Sequence, residues 1–487
     1  MSDLPDPGRF GAAMEEFIRA MTAVATYEES ELTNRIAAHL GTDPKVLPTT
    51  TVELPNTEQA NLQLGLAAAL PDAEVLGFHA RGMGYMPLGL AELLSGQAMT
   101  GPIGLGPPRY AGVEVGDGRI VRCITNGVFL ARIDGEPIVI VVSPTNERGF
   151  GPSKLRLEGV GTRDEAVASV IAAIRSAMRE HNVFRRRVIS LHADERGQGA
   201  SVQFHTLPSV QRDGVILPDG TLERLERHAI GIAQHAERLR EAGRHLKRGI
   251  LLHGPPGTGK TLSVTYLLGA MPGRTVVPLT GRSLGLIEHA TAIARELAPA
   301  TVVFEDIDLV AAERTMPWSQ GVLFDLLNQM EGVGEDADLL FLLTTNRPDV
   351  IEPALAARPG RVDLALEIPL PDAAARERLV ALYAEGVRLE PAELAAVVER
   401  TEGVSGAFVK ELMRQATLRA APDGRNASGA DVVAALDELL EERSALTRRL
   451  LGQPAHGAPT DGPGAAPFPQ MLQAFQAAGL PIPDEIE

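Results

Sequence analysis

Lys260 and Thr261 stand near the end of a run, Leu251 to Leu262, that reads Leu-Leu-His-Gly-Pro-Pro-Gly-Thr-Gly-Lys-Thr-Leu. Gly254, Gly259, Lys260 and Thr261 keep the spacing G-x-x-x-x-G-K-[ST] of a phosphate-binding loop. The glycines let the backbone wrap until several N–H groups converge on phosphate oxygens. Pro255, Pro256, Gly257, Thr258 and Leu262 therefore belong to the binding segment as well. Lys260 places a point charge near the β- and γ-phosphates, and Thr261 offers a hydroxyl to Mg²⁺. Two elements must position these groups. The apolar run from Gly249 to Leu252 reads as a buried parallel strand, and the helix after the loop turns its positive end toward the same phosphates. A Gly/Pro-rich turn that binds nothing would not require all four positions, nor the strand before and the helix after.

At 487 residues the chain holds about three domains on length alone, and 44% hydrophobic residues are enough for real cores. The net charge of −17 argues against generic attraction to nucleic acid or to an anionic membrane. A single cysteine, Cys123, rules out a disulfide framework and suits a reducing compartment. Met1 to Phe10 is acidic and proline-containing, with no apolar signal-peptide core, and no apolar run approaches the ~20 residues of a membrane span. A cytoplasmic protein without a membrane partner is expected.

Residues 1–44 read as two helices, one carrying Phe10, Met14, Phe17, Ile18 and Met21, the other Leu32, Ile36 and Leu40 after an acidic start. Residues 45–205 read as an α+β domain. Asp117-Gly118, Asn126-Gly127 and Asp134-Gly135 punctuate β-rich runs and predict an antiparallel meander. A helix follows over about Thr162 to His181, opened by a Thr162–Glu165 capping box, with Val167, Val170, Ile171, Ile174 and Met178 on its buried face. Further strands are expected at Arg187 to His192 and Ser201 to Thr206. No catalytic spacing occurs in this domain. Arg185-Arg186-Arg187 reads as a solvated connection.

From about Val215 to Leu440 the chain resembles the AAA family, ATPases associated with diverse cellular activities, and within it the substrate-remodelling branch. Several motifs in the right order carry the resemblance. Thr301-Val302-Val303-Phe304-Glu305-Asp306-Ile307-Asp308 resembles a Walker B strand, where one carboxylate holds the Mg²⁺ shell and the next polarises water. The family writes Asp then Glu; this chain writes Glu305 then Asp306, a swap that shortens the base by one methylene. Leu340 to Asp349 resembles the sensor 1 strand, which implies that Asn346 lies beside the γ-phosphate. Ala357-Arg358-Pro359-Gly360-Arg361-Val362-Asp363 resembles the arginine-finger segment, with Arg361 acting on a neighbouring subunit's nucleotide. A second family arginine is replaced by Leu364. The resemblance also implies an adenine contact near Ile216 and a lid contact at Ser405-Gly406-Ala407, where the next family residue, often Asp, is Phe408. Thr280 to Glu288 corresponds to the substrate-gripping pore loop but lacks its aromatic. Leu284, Leu286 or Ile287 could grip a chain there, or simply pack a helix.

The fold class implied is α/β: a P-loop AAA module, a parallel sheet with flanking helices plus a helical lid, preceded by an α+β domain. The divisions expected are 1–44 helices, 45–205 partner domain, 206–370 large ATPase subdomain, 371–451 lid, and 452–487 a Pro/Gly/Ala-rich linker with a docking-type tail around Phe468, Met471, Leu472 and Phe475. The resemblance implies ATP and Mg²⁺ as ligands, a homo-oligomer such as a hexameric ring, and a protein partner that is remodelled. Thr261, Glu305 and Asp306 form the metal set; Glu305, Asp306, Asn346 and Arg361 form the catalytic set. No H-E-x-x-H occurs, which argues against a fused metalloprotease of that type. Two rivals stand beside this reading: a nucleotide-gated scaffold of slow turnover, and a nucleic-acid motor, which the acidic charge disfavours.

Overall fold

The computed structural model of the chain describes residues 11, 13–16, 31–80, 88–95, 97–98, 101–145, 154–193, 200–280, 283, 286–308, 329–330, 337–349 and 362–450. Arg361, Asn146 to Arg148, the tail after 450 and most of the expected first helix lie outside these residues. The chain divides into two units, Met1–Pro371 and Asp372–Glu487.

The first unit holds two sheets. The first has strands β1 (Thr49–Pro55), β2 (Glu74–Ala80), β3 (Gln97–Ala98), β4 (Gly101–Gly106), β5 (Arg109–Glu114), β6 (Ile120–Ile133), β7 (Glu136–Thr145) and β8 (Lys154–Gly161). Their order is β1-β8-β7-β6-β2-β4-β3, with β5 paired to β6 and every pairing antiparallel. An unbroken apolar stretch in β7 is used on both faces. Ile138, Ile140 and Val142 pack with helices α2 (Gln59–Ala69) and α4 (Asp164–Glu180), while Val139 and Val141 pack with α1 (Glu31–Leu40) and α3 (Leu90–Ser95). Period-two alternation makes that division automatic. Leu32, Ile36 and Leu40 of α1 are buried in this packing, so the second expected helix is part of the sheet's own core.

The meander is present with one change. Asp117-Gly118 and Asp134-Gly135 are turns with positive φ at both residues (56° and 68°, 53° and 84°), the conformation of a tight hairpin. Asn126-Gly127 is no turn: it lies inside the continuous strand β6, where an irregularity in the pairing with β5 absorbs the extra residue. The buried stripe of α4 is as expected. Its capping box is not, because Thr162 Oγ1 donates to Glu136 Oε2 (3.2 Å) and leaves Arg163 at the N-cap without a side-chain cap.

The second sheet runs β10-β9-β12-β13-β14-β11-β15, from β9 (Val188–Ala193), β10 (Ala200–His205), β11 (Arg248–His253), β12 (Thr275–Leu279), β13 (Ala300–Phe304), β14 (Leu339–Thr345) and β15 (Leu364–Glu367). Only the β9–β10 pair is antiparallel. All residues of β13 and β14 are buried, the signature of parallel strands covered on both faces. Helix α5 (Thr221–Glu226) and α6 (Lys260–Ala270) contribute to the core on one side, α7 (Ile287–Glu296) on the other. A π-helical turn over Arg227–Gly231 follows α5. Strands β9 and β10, grouped by their sequence with residues 45–205, hydrogen-bond into this second sheet instead, since Val276 of β12 pairs with Val188. The arginines before β9 make protein contacts: Arg185 donates to Arg179 O and Ala298 O, and Arg187 pairs with Asp117.

At the start of the parallel strands sits a buried charge cluster. Arg274 Nη1 donates to both oxygens of Asp338 (2.9 and 3.0 Å), and Arg248 Nη1 lies 3.4 Å from the same carboxylate. Burial and the neighbouring Arg274 guanidinium push the Arg248 guanidinium down to about 10. One carboxylate thus offsets two buried cations. Replacing it by Asn leaves Arg274 without its carboxylate and Arg248 with Asp363 alone, and Asp338→Asn is expected to lower unfolding stability by about 3–5 kcal/mol, read from denaturant titration.

The second unit, taken by itself, is helical: α8 (Ala373–Tyr383), α9 (Pro391–Arg400), α10 (Gly406–Ala420) and α11 (Gly429–Leu450), with a two-stranded parallel ladder joining Val387 and Arg388 to Ala427 and Ser428. Asp372 caps α8 by accepting from Ala375 N (2.8 Å). Val409, Leu412, Met413 and Ala416 form the buried face of α10. No described helix is long and apolar enough to cross a membrane.

Candidate functional site

Three parallel neighbours, β13, β14 and β11, end side by side, and the candidate residues follow their carboxyl ends. After β11 the chain turns through Gly254 to Gly259 and enters α6 at Lys260. Gly254, Gly257 and Gly259 have φ of 142°, 75° and 104°, a conformation that only glycine takes without strain. Gly254 is also a close approach: a Cβ there would lie 2.2 Å from Ile368 O. Gly254→Ala therefore combines a backbone collision with a forbidden φ. Its expected result is a loss of stability of about 2 kcal/mol or more together with loss of nucleotide binding, checked by thermal unfolding with and without Mg·ATP.

Lys260 is buried, and its Nζ donates to Gly254 O and Pro255 O, both at 2.8 Å. Burial lowers its pKa, while the charges of Asp306 and Asp308 pull it back up. The ammonium thus spans the loop facing the two acids. Thr258 Oγ1 closes the loop onto Pro255 O (2.9 Å), and Thr261 is exposed at the helix start. Ile216 is half-buried between Val215 and Leu217, which anchor in the core. Leu217 Cδ2 lies 4.0 Å from the Cβ position of Gly259, so the 215–217 segment flanks the loop.

The Walker B-like carboxylates follow β13. Glu305 N donates to Leu279 O, and the side chain's pKa is raised by burial and then by the adjacent Asp306. Asp306 has φ 49°, which Asp and Asn tolerate better than longer side chains. Its backbone N–H is fixed by Thr344 Oγ1 (3.0 Å), and its Oδ1 accepts from Asn346 Nδ2 (3.0 Å). Asn346 and Asp306 are thereby brought together. Asp308 ties the strands further: its Oδ1 accepts from Thr345 Oγ1 (2.8 Å) and Asn346 N (3.0 Å). This anchoring role escapes sequence reasoning, although a buried third acid after the apolar Ile307 is the signal.

Not every candidate joins this cluster. Arg361 is outside the described residues, but Asp363 is not: it exchanges hydrogen bonds with Gly249, the side chain accepting from Gly249 N (2.7 Å) and the backbone N donating to Gly249 O (2.8 Å). Ser405, Gly406 and Ala407 belong to the second unit, where Ser405 is the N-cap of α10 and accepts from Phe408 N (3.4 Å). Ile287 is 3% exposed within the core and Leu286 packs against that core, so these two are helix-packing residues; Leu284 lies outside the described residues. Among the described residues no cluster of three or more His, Cys, Asp or Glu is arranged to hold a metal without further ligands.

The geometry fits a magnesium nucleotide. A glycine cradle, a buried ammonium facing two acids, a hydroxyl at a helix start and a neighbouring amide are the donor set that phosphates and Mg²⁺ need. Comparison with known proteins agrees. Residues 250–370 match the family described as "ATPase family associated with various cellular activities (AAA)". The chain is 34% identical over 223 residues to the ATP-dependent zinc metalloprotease FtsH 2 of Symbiobacterium thermophilum, covering 42% of this chain and 37% of that protein. It is 30% identical over 259 residues to the proteasome-activating nucleotidase of Thermococcus onnurineus, covering 50% of this chain and 65% of the relative. The corresponding figures for the proteasome-activating nucleotidase of Methanocaldococcus jannaschii are 30% over 240 residues, 46% and 54%. The match thus spans from about a third to two thirds of each relative's length and half of this chain or less. The loop that ends β11 and the parallel strands around it thus lie in a segment, residues 250–370, that matches the AAA family of ATPases.

Proposed function

We propose that the protein binds and hydrolyses Mg·ATP at the interface of a homo-oligomeric, hexameric ring and uses the cycle to remodel or assemble a protein partner gathered by residues 45–205. The observation that carries this reading is the pairing of Asp306 with Asn346 opposite the Lys260 ammonium. Bound Mg·ATP supplies the electrophilic γ-phosphoryl group and the metal charge that offsets its oxygens. Lys260 exchanges its two loop carbonyls for phosphate oxygens. Thr261 and Glu305 hold the Mg²⁺ shell, with Asp306 close enough to share it. Asp306 orients water and takes its proton, and Asn346 keeps that carboxylate aimed. Arg361 of a neighbouring subunit stabilises the charge that builds on the phosphoryl group. Ile216 and Ser405-Gly406-Ala407 hold the adenine end. A cytoplasmic location fits the acidic, cysteine-poor composition. The relatives' printed names, a metalloprotease and a proteasome activator, support a protein as the partner class.

The test is phosphate release by the purified chain beside Lys260→Ala. Removing the ammonium is expected to lower kcat/KM about a hundredfold, in line with the loss of one preorganised charge stabiliser. Equal turnover in the two proteins would end this reading.

A further inference from the structure

A second cluster of chemical interest lies away from the strand ends just described, on the outer strands of the ATPase sheet. In β9, Ile189 and Leu191 point into the core, which sends Val188, Ser190 and His192 to the opposite face. The register of β10 sets Gln203 opposite Ser190, Ser201 opposite His192 and His205 opposite Val188. His192 and His205 therefore stand on the same face, one on either side of the Ser190 row. Both lean inward. Ser190 Oγ lies 2.8 Å from His192 Nε2 and 2.6 Å from His205 Nε2. The serine is 9% exposed, while both histidines are exposed. Two imidazole nitrogens thus converge on one buried hydroxyl, with both rings at the surface.

We infer that His192 Nε2 and His205 Nε2, with Ser190 Oγ, bind one divalent cation of the zinc class. The hydroxyl has one proton, so it can donate to one imidazole only, and in the metal-free state the other ring must act as donor. A cation removes that constraint. With both rings protonated at Nδ1, both Nε2 lone pairs face inward, and small ring rotations bring them to the Zn–N distance of about 2.0–2.1 Å. The serine hydroxyl and water complete a four-coordinate shell. Imidazole donors select zinc, copper, nickel or cobalt over Mg²⁺ and Ca²⁺, which require oxygen-rich sites. The site is therefore chemically distinct from the carboxylate set beside Lys260. Among the described residues β10 pairs with β9 alone, so the ion would pin the outermost strand to its neighbour.

Co²⁺ is the probe, added to the full-length chain without nucleotide or Mg²⁺ and followed by visible absorption, with Zn²⁺ as competitor. The wild type is expected to take up one Co²⁺ with a tetrahedral ligand-field band that Zn²⁺ displaces. The double variant His192→Gln/His205→Gln is expected to weaken binding by at least about tenfold, the lower end of losses seen when even supporting groups are removed, whereas Asp306→Asn retains the band. No band in the wild type, or an unchanged band in the double variant, overturns the assignment. Should the double variant fail to fold, nitrogen NMR of the wild type decides: Zn²⁺ must shift the Nε2 resonances of His192 and His205, and unshifted resonances overturn it.

Discussion

Asp306→Asn is expected to keep Mg·ATP bound while lowering turnover by about 10²- to 10⁴-fold, the usual contribution of a general base. The substitution is unusually clean. Asn tolerates the left-handed backbone at residue 306 (φ 49°) as Asp does. It also keeps an Oδ1 to accept from Asn346 Nδ2 and leaves the N–H to Thr344 Oγ1 undisturbed. The charge and the basicity are removed while the hydrogen-bonded geometry is kept. The converse change, Asp306→Glu, restores the family's residue at that position yet puts a longer side chain on a left-handed backbone. It is expected to cost about 1 kcal/mol or more of stability and to fall short of wild-type turnover. The left-handed backbone at residue 306 thus suits the inverted Glu305–Asp306 order. Phosphate release measured beside fluorescent-nucleotide titration checks both variants. Turnover of Asp306→Asn within a factor of three of wild type would transfer the base role to Glu305 and sink the assignment.

Arg361→Ala is expected to lower kcat by about 10³-fold or more, the range for an arginine that meets the transferring phosphoryl group, with little change in nucleotide affinity. Asp363, two residues on, is bound to Gly249 at the start of β11, and the phosphate loop begins beyond that strand's other end. Arg347 offers no substitute, being exposed and paired with Asp349. Mixing is the decisive measurement. Arg361→Ala subunits combined with Lys260→Ala subunits should regain part of the activity, because an intact Lys260 site can then face an intact Arg361. Mixed assemblies no more active than the separate variants would refute action between subunits.

Much of this was legible in the residues alone, for identifiable reasons. The loop from Gly254 to Thr261 is a local motif whose backbone demands are met by its own glycines. The buried face of α4 follows from five apolar positions at helical spacing. What alternation cannot say is which sheet a strand joins: Ile189 and Leu191 predict a buried face, and only the parallel bond to β12 decides the partner. The Arg248–Asp338–Arg274 cluster was hidden for a related reason. Its members are scattered along the chain as single charges before apolar runs and converge only because parallel strands begin in register. The left-handed Asp306 carries no signal beyond its residue type.

The placement of β9 and β10 has a further consequence for how work could pass through the molecule. Ala60 of α2, Val115 just after β5 and Cys123 of β6 share a cluster with Val183 and Phe204, and Phe204 lies on the border strand of the ATPase sheet. Between α4 and β9 there are only a few residues, 181–187, too few to serve as slack. The amino-terminal half is therefore spliced into the engine and is no passenger hung on a cord. Cutting the chain after residue 205 to isolate the engine would strip away two border strands and leave β12 with a raw hydrogen-bonding margin, an invitation to clump.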